Sequence, residues 1–481
     1  MLAVDLLVAV PLLGVAAVIA LGRGSATRPR AIALAFSVAF TAVFASLASA
    51  GVLTGTAVDG IRLAREAFPF WTLRIDGLSA PLLALTAVLG PVAVLASWGV
   101  REKAAAHHAL LLGLQASIAG VFLAADVILL YVFWEAVLIP MYFLIGVWGH
   151  EDRRHAAMKF FIYTFAGSAF MLVGILTAVF QTGHTGLAEV LDSAFVLGQP
   201  TLVFWLIAAG MLVKIPAVPV HTWLADAHVE APTAGSILLA GVLLKMGGYG
   251  LLRLALPIAP EVFEAARPIL AVLGGVGIFY GAALALAQTD LKRLVALSSV
   301  SHMGFVLLGI SAGTERGFAA AMLVMVSHGL VAPLLFLLVG QLYDRTHTRD
   351  IERFSGMGAT LPRWATLFTF AALASLGLPG LSGFPGEFLA VVAGFGAWSY
   401  SIVPVMAGLV LAAAYNLRAV KGTLHGEIAE EWAGISDMSA GDLVPAVVLA
   451  ACIVALGVWP MFVLDMTGDA LALIAALAGG M

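Results

Sequence analysis

Charge is scarce in this chain. Asp, Glu, Lys and Arg make up 11% of its 481 residues, less than half of what a soluble domain carries, while 62% are hydrophobic. No water-soluble fold hides that much apolar surface in a chain of this length. Cysteine is scarcer still: the single Cys452 lies in an apolar run, which excludes an intrachain disulfide frame and a thiolate metal site. No stretch carries more than two consecutive basic residues and the net charge is -4, so the footprint of a nucleic-acid binder is missing. A phosphate loop, a dinucleotide fingerprint and a redox-cofactor ligand set are missing as well. The solvent for this sequence is lipid.

What the chain has in abundance is apolar runs of about 20 residues, the length that covers a hydrocarbon core of roughly 30 Å. Fourteen are expected, at about 3–22, 31–52, 77–99, 108–125, 127–148, 156–180, 200–219, 233–253, 268–288, 293–311, 317–340, 364–391, 399–417 and 443–463. The first starts with Asp5 and no basic residue, unlike a cleaved signal. With the first interhelical loop in the cytoplasm, fifteen Lys and Arg fall inside and six outside, and three (Lys159, Lys214, Lys245) fall within spans. That bias places both termini on the periplasmic side of a bacterial inner membrane.

Two spans are interrupted. Span seven reads LVKIPAVPVHTW, with Pro216 and Pro219; span twelve reads LGLPGLSGFPGEF, with Pro379 and Pro385. Proline removes an amide donor and clashes with the preceding turn, so both helices break. In lipid such breaks survive only where protein or a wet cavity surrounds them. One break in each half points to two inverted five-helix repeats, spans 4–8 and 9–13, a mark of ion-conducting transporters. The expected fold is therefore an all-α membrane protein of about 14 transmembrane helices. Its parts are an N-terminal three-helix segment (1–107), the two repeats (108–253 and 254–420), and a C-terminal helix with a tail of about 18 residues (421–481).

Against this background a few ionisable residues stand out. Glu135 and Lys245 are each alone in long apolar runs. Lys214 directly precedes the first break and Glu387 directly follows the second, while His302 and His328 lie in spans ten and eleven. A charge at the bilayer centre costs at least ~2.5–3.5 kcal/mol, so these groups need partners and water. Glu135 and Lys214 are natural partners. Lysine, unlike arginine, can release its proton when desolvated, and lysines, carboxylates and histidines together are the chemistry of a proton relay. Blander readings exist for single members. Lys214 can snorkel from a helix end, Glu135 can be a structural ion-pair partner, the histidines can be satisfied by nearby serines, and Glu387 can cap free amides. His221 and His228, with Asp226 and Glu230, have a superficial look of metal ligands, but a loop carrying Pro232 and the lack of cysteine speak against it. Asp290-Leu291-Lys292-Arg293 reads as a solvated turn, and Arg74 with Asp76 as residues that orient the start of span three.

The segments VFWEAVLIPMYFLIGVWG, LVKIPAVPVHTWLADAHVEAPTAGSILLAGVLLKMGGYGLLR, QTDLKRLVALSSVSHMGF and LPGLSGFPGEF resemble the antiporter-like subunits of respiratory complex I, from about Asp76 to Trp459. YDRTHTRDI and a glutamate at position 387, where sister chains generally carry lysine, resemble the M type among the three related chains. The resemblance implies a proton-translocating membrane-arm subunit of NADH:quinone oxidoreductase. It makes Glu135 and Lys214 a switching ion pair, Lys245 the central proton site, His302 and His328 links, and Glu387 the residue towards the outer side. It implies L- and N-type chains as partners, FMN and iron–sulfur clusters in other subunits, and no cofactor in this chain. A subunit of a sodium/proton antiporter or membrane-bound hydrogenase, a passive scaffold and an independent transporter are the competing readings.

Overall fold

In the computed structural model, residues 2–22, 24–25, 27–49, 58–59, 70–428 and 430–479 are described. The expected loop basic residues Arg23, Arg62 and Arg65, and the end of span two at 50–52, lie outside them. The described chain is helical apart from connections and one two-residue strand pair, Val58–Asp59 with Arg74–Ile75. Its long helices are α1 (Leu2–Leu21), α2 (Thr27–Ser49), α3 (Ala80–Ala96), α4 (Ala104–Leu123), α5 (Val127–Trp148) and α6 (Arg153–Thr182). There follow α7 (Pro200–Lys214), α8 (Thr222–Glu230), α9 (Thr233–Ile258), α10 (Pro260–Leu286), α11 (Leu291–Ser311) and α12 (Glu315–Thr346). The chain continues through α13 (Pro362–Ser375), α14 (Gly383–Trp398), α15 (Val403–Leu424), α16 (Ala440–Val458) and α17 (Met461–Gly479).

Each of the fourteen expected stretches has its helix. Among the described residues, twelve segments are long and apolar enough to cross a membrane, with α14 and α15 counted as one, and α3 and α7 are apolar but shorter. The C-terminal end differs from expectation. The residues read as a tail form α17, which buries Val463, Met466, Thr467, Leu471 and Ile474 on one face. Its two aspartates, Asp465 and Asp469, had broken the apolar run; both fall on exposed positions, so the opposite stripe is free to pack.

Both breaks fall where the prolines put them. Between α7 and α8 the carbonyl of Val213 loses its helical partner and accepts the Trp223 indole N–H at 3.2 Å instead. Between α13 and α14 the chain turns through Gly377 (φ +77°) and Gly380 (φ +90°), a region that only glycine enters at little cost. At the first break Lys214, Ile215, Pro216 and Ala217 are buried, whereas at the second Leu378, Pro379 and Gly380 are exposed and Ser382 and Gly383 are buried.

Burial sorts the helices. α11 and α12 are enclosed along their whole apolar windows and α9 almost so, whereas α1, α2 and α15 mostly face outward. The enclosed three carry Lys245, His302 and His328. They can sit this close because small residues line the crossings. α10 and α11 cross at Gly274 and Gly304, where a Cβ on Gly304 would stand 2.7 Å from the Gly274 carbonyl oxygen and the Ile278 nitrogen. Gly304→Val is expected to push these helices apart at a cost of about 1–3 kcal/mol or more. A native gel checks this: sharply reduced assembled complex is expected, and wild-type levels would contradict the close crossing.

On the face opposite the basic loops, Asp76 fixes the turn that leads into α3 by accepting from the amides of Leu78 and Ser79. It also takes Arg253 of α9 at 2.5 Å, and the Tyr249 hydroxyl accepts from Arg253 Nε at 2.9 Å. Burial pushes the Asp76 carboxyl up, but the Arg253 charge and these hydrogen bonds outweigh it and hold it below its ordinary 3.8. A depressed carboxylate stabilises the fold above its unfolded pKa, and that contribution is lost as pH falls through the folded one. Asp76→Asn should cost about 2–3 kcal/mol near neutral pH, because it strands a partly buried guanidinium. Thermal unfolding of the purified complex at pH 7 against pH 3 should show the variant's deficit shrinking at acid pH. A deficit independent of pH would refute the ion pair's contribution.

Candidate functional site

α9 is not a plain α-helix. Two turns of wider π geometry, Leu239–Leu243 and Leu251–Ala255, bracket Lys245. Such turns leave backbone carbonyls loosely engaged and recur at functional sites. The Lys245 ammonium donates to one of them, Ala240 O, five residues back. It has no exposed surface, and its Nζ lies 2.6 Å from His328 Nδ1. A lysine in this position has the Ala240 carbonyl and the His328 ring nitrogen as its neighbours.

The polar contacts continue from there. The His328 ring on α12 stands 5.4 Å from the His302 ring on α11, centroid to centroid, and its Nε2 has no hydrogen-bond partner. His302 Nδ1 lies 2.8 Å from Glu387 Oε1, placed on the first turns of α14 just after the second break. The far nitrogen of His302 is flanked by Ser375 Oγ at 3.4 Å and Tyr415 Oη at 3.5 Å, and Asn416 donates to Ser375. A cavity of about 10 Å³, room for one water, opens between Ser298, His302, Ser327, His328, Ser375 and Glu387. Four of the six expected residues thus form one line from α9 to α14, with its single gap at the two imidazoles.

Glu135 and Lys214 stand to one side. Lys214 is buried at the last turn of α7, with its Nζ unpartnered by any hydrogen bond and lying 5.7 Å and 5.8 Å from the Trp134 and Phe160 ring centres. Aromatic faces are a weak substitute for a counter-ion. Glu135 is half-buried on α5, close to Tyr131 and Ser168, and it interacts with Lys214 through space. No ion pair within 4.0 Å joins the two. The expected partners are neighbours, and the pair is open. α7 and α9 touch where Gly247 meets the Met211 carbonyl, which sets Lys214 and Lys245 on adjacent helices.

Several residues of this region escaped the sequence reading. Ser375, Tyr415 and Asn416 are neutral and come from segments far apart in the chain. The adjacent Tyr415-Asn416 pair inside an apolar run was the one available signal. Lys292 was misread: the turn at 290–293 is not simply solvated. Asp290 caps α11 and pairs with Arg349 at 3.1 Å, while Lys292 is buried and donates to the carbonyls of Ala231 and Val229. Among the described residues no cluster of three or more His, Cys, Asp or Glu is arranged to hold a metal.

This architecture has close counterparts. The sequence profile of the NADH:quinone oxidoreductase/Mrp antiporter membrane family matches residues 124–413. The chain belongs to that family. Among its relatives are the NADH-quinone oxidoreductase subunit M of Rhodobacter capsulatus, 41% identical over 84% of this chain and 81% of the relative. That of Pseudomonas aeruginosa is 44% identical over 82% and 80%. In solved structures, a chain of respiratory complex I from Thermus thermophilus superposes with a TM-score of 0.90 at 30% identity, covering 99% of this chain and all of its own. A chain of the Mrp complex from Dietzia shares the fold, with a TM-score of 0.84 at 21% identity over 99% of both.

Proposed function

We propose that this chain, as an M-type membrane-arm subunit of NADH:quinone oxidoreductase, moves protons along Lys245, His328, His302 and Glu387 under the control of Glu135 and Lys214. The observation that supports it is the contact series Lys245–His328, His302–Glu387, enclosed in the middle of the bundle. The redox chemistry belongs to other subunits, which would carry FMN and iron–sulfur clusters, and the L- and N-type chains are the expected neighbours. We place the basic loops in the cytoplasm and both termini in the periplasm, and we read spans 4–8 and 9–13 as inverted repeats.

The mechanism follows from charge. With the Glu135–Lys214 pair open, the Lys214 ammonium acts on Lys245 uncompensated. Two like charges separated by about 9 Å, the spacing of packed helix axes, would interact by about 2 kcal/mol at an effective dielectric of 20, more than a tenfold change in proton affinity. The Lys245 proton then passes to His328, across the two-imidazole gap to His302, and on to Glu387. Closing the pair removes the push and lets Lys245 reload. Quinone reduction elsewhere in the complex would open and close the pair through the chain of neighbouring subunits. Within this chain no electron moves; only N–H and O–H bonds are exchanged.

Native purification with subunit identification tests the assignment to this complex. Co-purification with NADH-oxidising subunits, flavin and iron–sulfur absorbance is expected. Recovery in an assembly without NADH oxidation, such as a sodium/proton antiporter, would overturn it.

A further inference from the structure

His228 has no part in the line just described, yet it is the least explicable polar side chain in the bundle. It has no exposed surface, neither ring nitrogen has a hydrogen-bond partner, and the ring lies flat on Phe336, 4.5 Å away at an angle of 8°. A phenylalanine would make that stack without leaving two polar atoms dry.

Its location suggests why an imidazole is there. Phe336 lies eight residues beyond His328 on α12, so His228 stands about 12 Å from the Lys245–His328 pair along that helix. On its other side, the ammonium of Lys292 is held by the carbonyls of Val229 and Ala231, on the backbone that carries His228. Lys292 forms part of the wall of a cavity of about 450 Å³ on the face of the basic loops, shared with Trp148, His150, Tyr343, Asp344 and Arg349. Lys292 and Lys245 are the two charges that act on His228. The imidazole therefore lies between Lys292, in the wall of that vestibule, and the central lysine.

We propose that His228 carries protons from this vestibule to the Lys245–His328 pair, an inlet that rests on the Lys245-centred relay. Water entering between the vestibule and the buried ring carries a proton to its free nitrogen. The imidazolium gives up the proton on its other nitrogen to water on the inner side, which passes it to the Lys245 amine. The ring ends as the opposite tautomer and resets by rotation. Burial first, and then the positive charges of Lys292 and Lys245 on either side, keep the ring from retaining the proton, so it passes protons without storing one. Lys292 is a positioning residue: it fixes the end of α8, and with it the height of the ring.

The rival is a packing role, and two variants separate them in the intact complex in sealed vesicles driven by NADH. His228→Phe keeps the stack on Phe336 but carries no proton. Proton translocation should fall about tenfold or more at unchanged complex content. His228→Ala should lose translocation and regain much of it with added imidazole, not with pyrrole, which has the same ring size and no basic nitrogen. Normal translocation in His228→Phe, or equal rescue by pyrrole, would overturn the inlet. If Lys245→Met abolishes translocation while His228→Phe is normal, only the inlet fails; if Lys245→Met is normal, the relay itself fails.

Discussion

Lys245→Met in the assembled complex should reduce NADH-driven proton translocation by about two orders of magnitude, the usual contribution of a positioned proton-transfer group. Methionine matches the length and apolar stem of lysine, so the enclosed site stays filled and α9 keeps its course. What disappears is a group able to hold and release a proton between Ala240 O and His328. Lys245→Arg should fail almost as badly, because a guanidinium keeps its proton under all physiological conditions. Quinone reduction should slow along with translocation, since a coupled machine cannot turn over with one stage blocked. Measured together on vesicles of matched complex content, near-normal translocation in either variant would remove Lys245 from the mechanism.

Opening Lys214 to the same treatment gives the second large effect. Lys214→Met removes the charge that pushes on Lys245, and about 2 kcal/mol of lost push corresponds to a loss of more than tenfold. Glu135→Gln acts from the other side: the pair cannot close, so Lys245 cannot reload. Both variants should therefore pump poorly. The double variant should resemble the single ones, because two residues that act through one interaction are not additive. Initial rates of translocation in the three variants check this. Losses that multiply in the double variant would show that the two residues act separately.

The sequence made some of this legible and hid the rest, for physical reasons. Lone charges in apolar runs are conspicuous because lipid tolerates so few of them, and all six residues singled out on that ground are found in the interior or at its edge. The breaks were equally plain, since Pro216 with Pro219, and Pro379 with Pro385 and the glycines around them, crowd helix-disfavouring residues into one short stretch of each run. Contact order was not legible. Nothing in the string shows that Lys245 touches His328 rather than Lys214, or that Glu135 and Lys214 stand apart. Lys292 looked solvated because it stands in a short charged run with Asp290 and Arg293, whereas the acceptors that hold it lie about 60 residues earlier. α17 was hidden by its two aspartates, which lowered the apolar score of a helix that buries only one face. His228 drew notice only as a doubtful metal ligand, because a buried imidazole without partners has no signature in sequence.

The shape of the bundle gives these residues their meaning. The most enclosed helices are the ones that carry ionisable groups, and small residues at the crossings let those helices approach. The outer helices α1, α2, α6, α10 and α15 are less than half buried along their apolar lengths, which leaves Lys245, His302 and His328 on the enclosed ones.

A double-mutant cycle on the two ends of the polar line probes its continuity most directly. Proton translocation would be measured for Lys245→Met, Glu387→Gln and the pair of substitutions together, at equal complex content. If one proton path runs through both, the double variant loses no more than the worse single one. If the losses multiply, Lys245 and Glu387 serve separate routes, and the line drawn here between them is wrong.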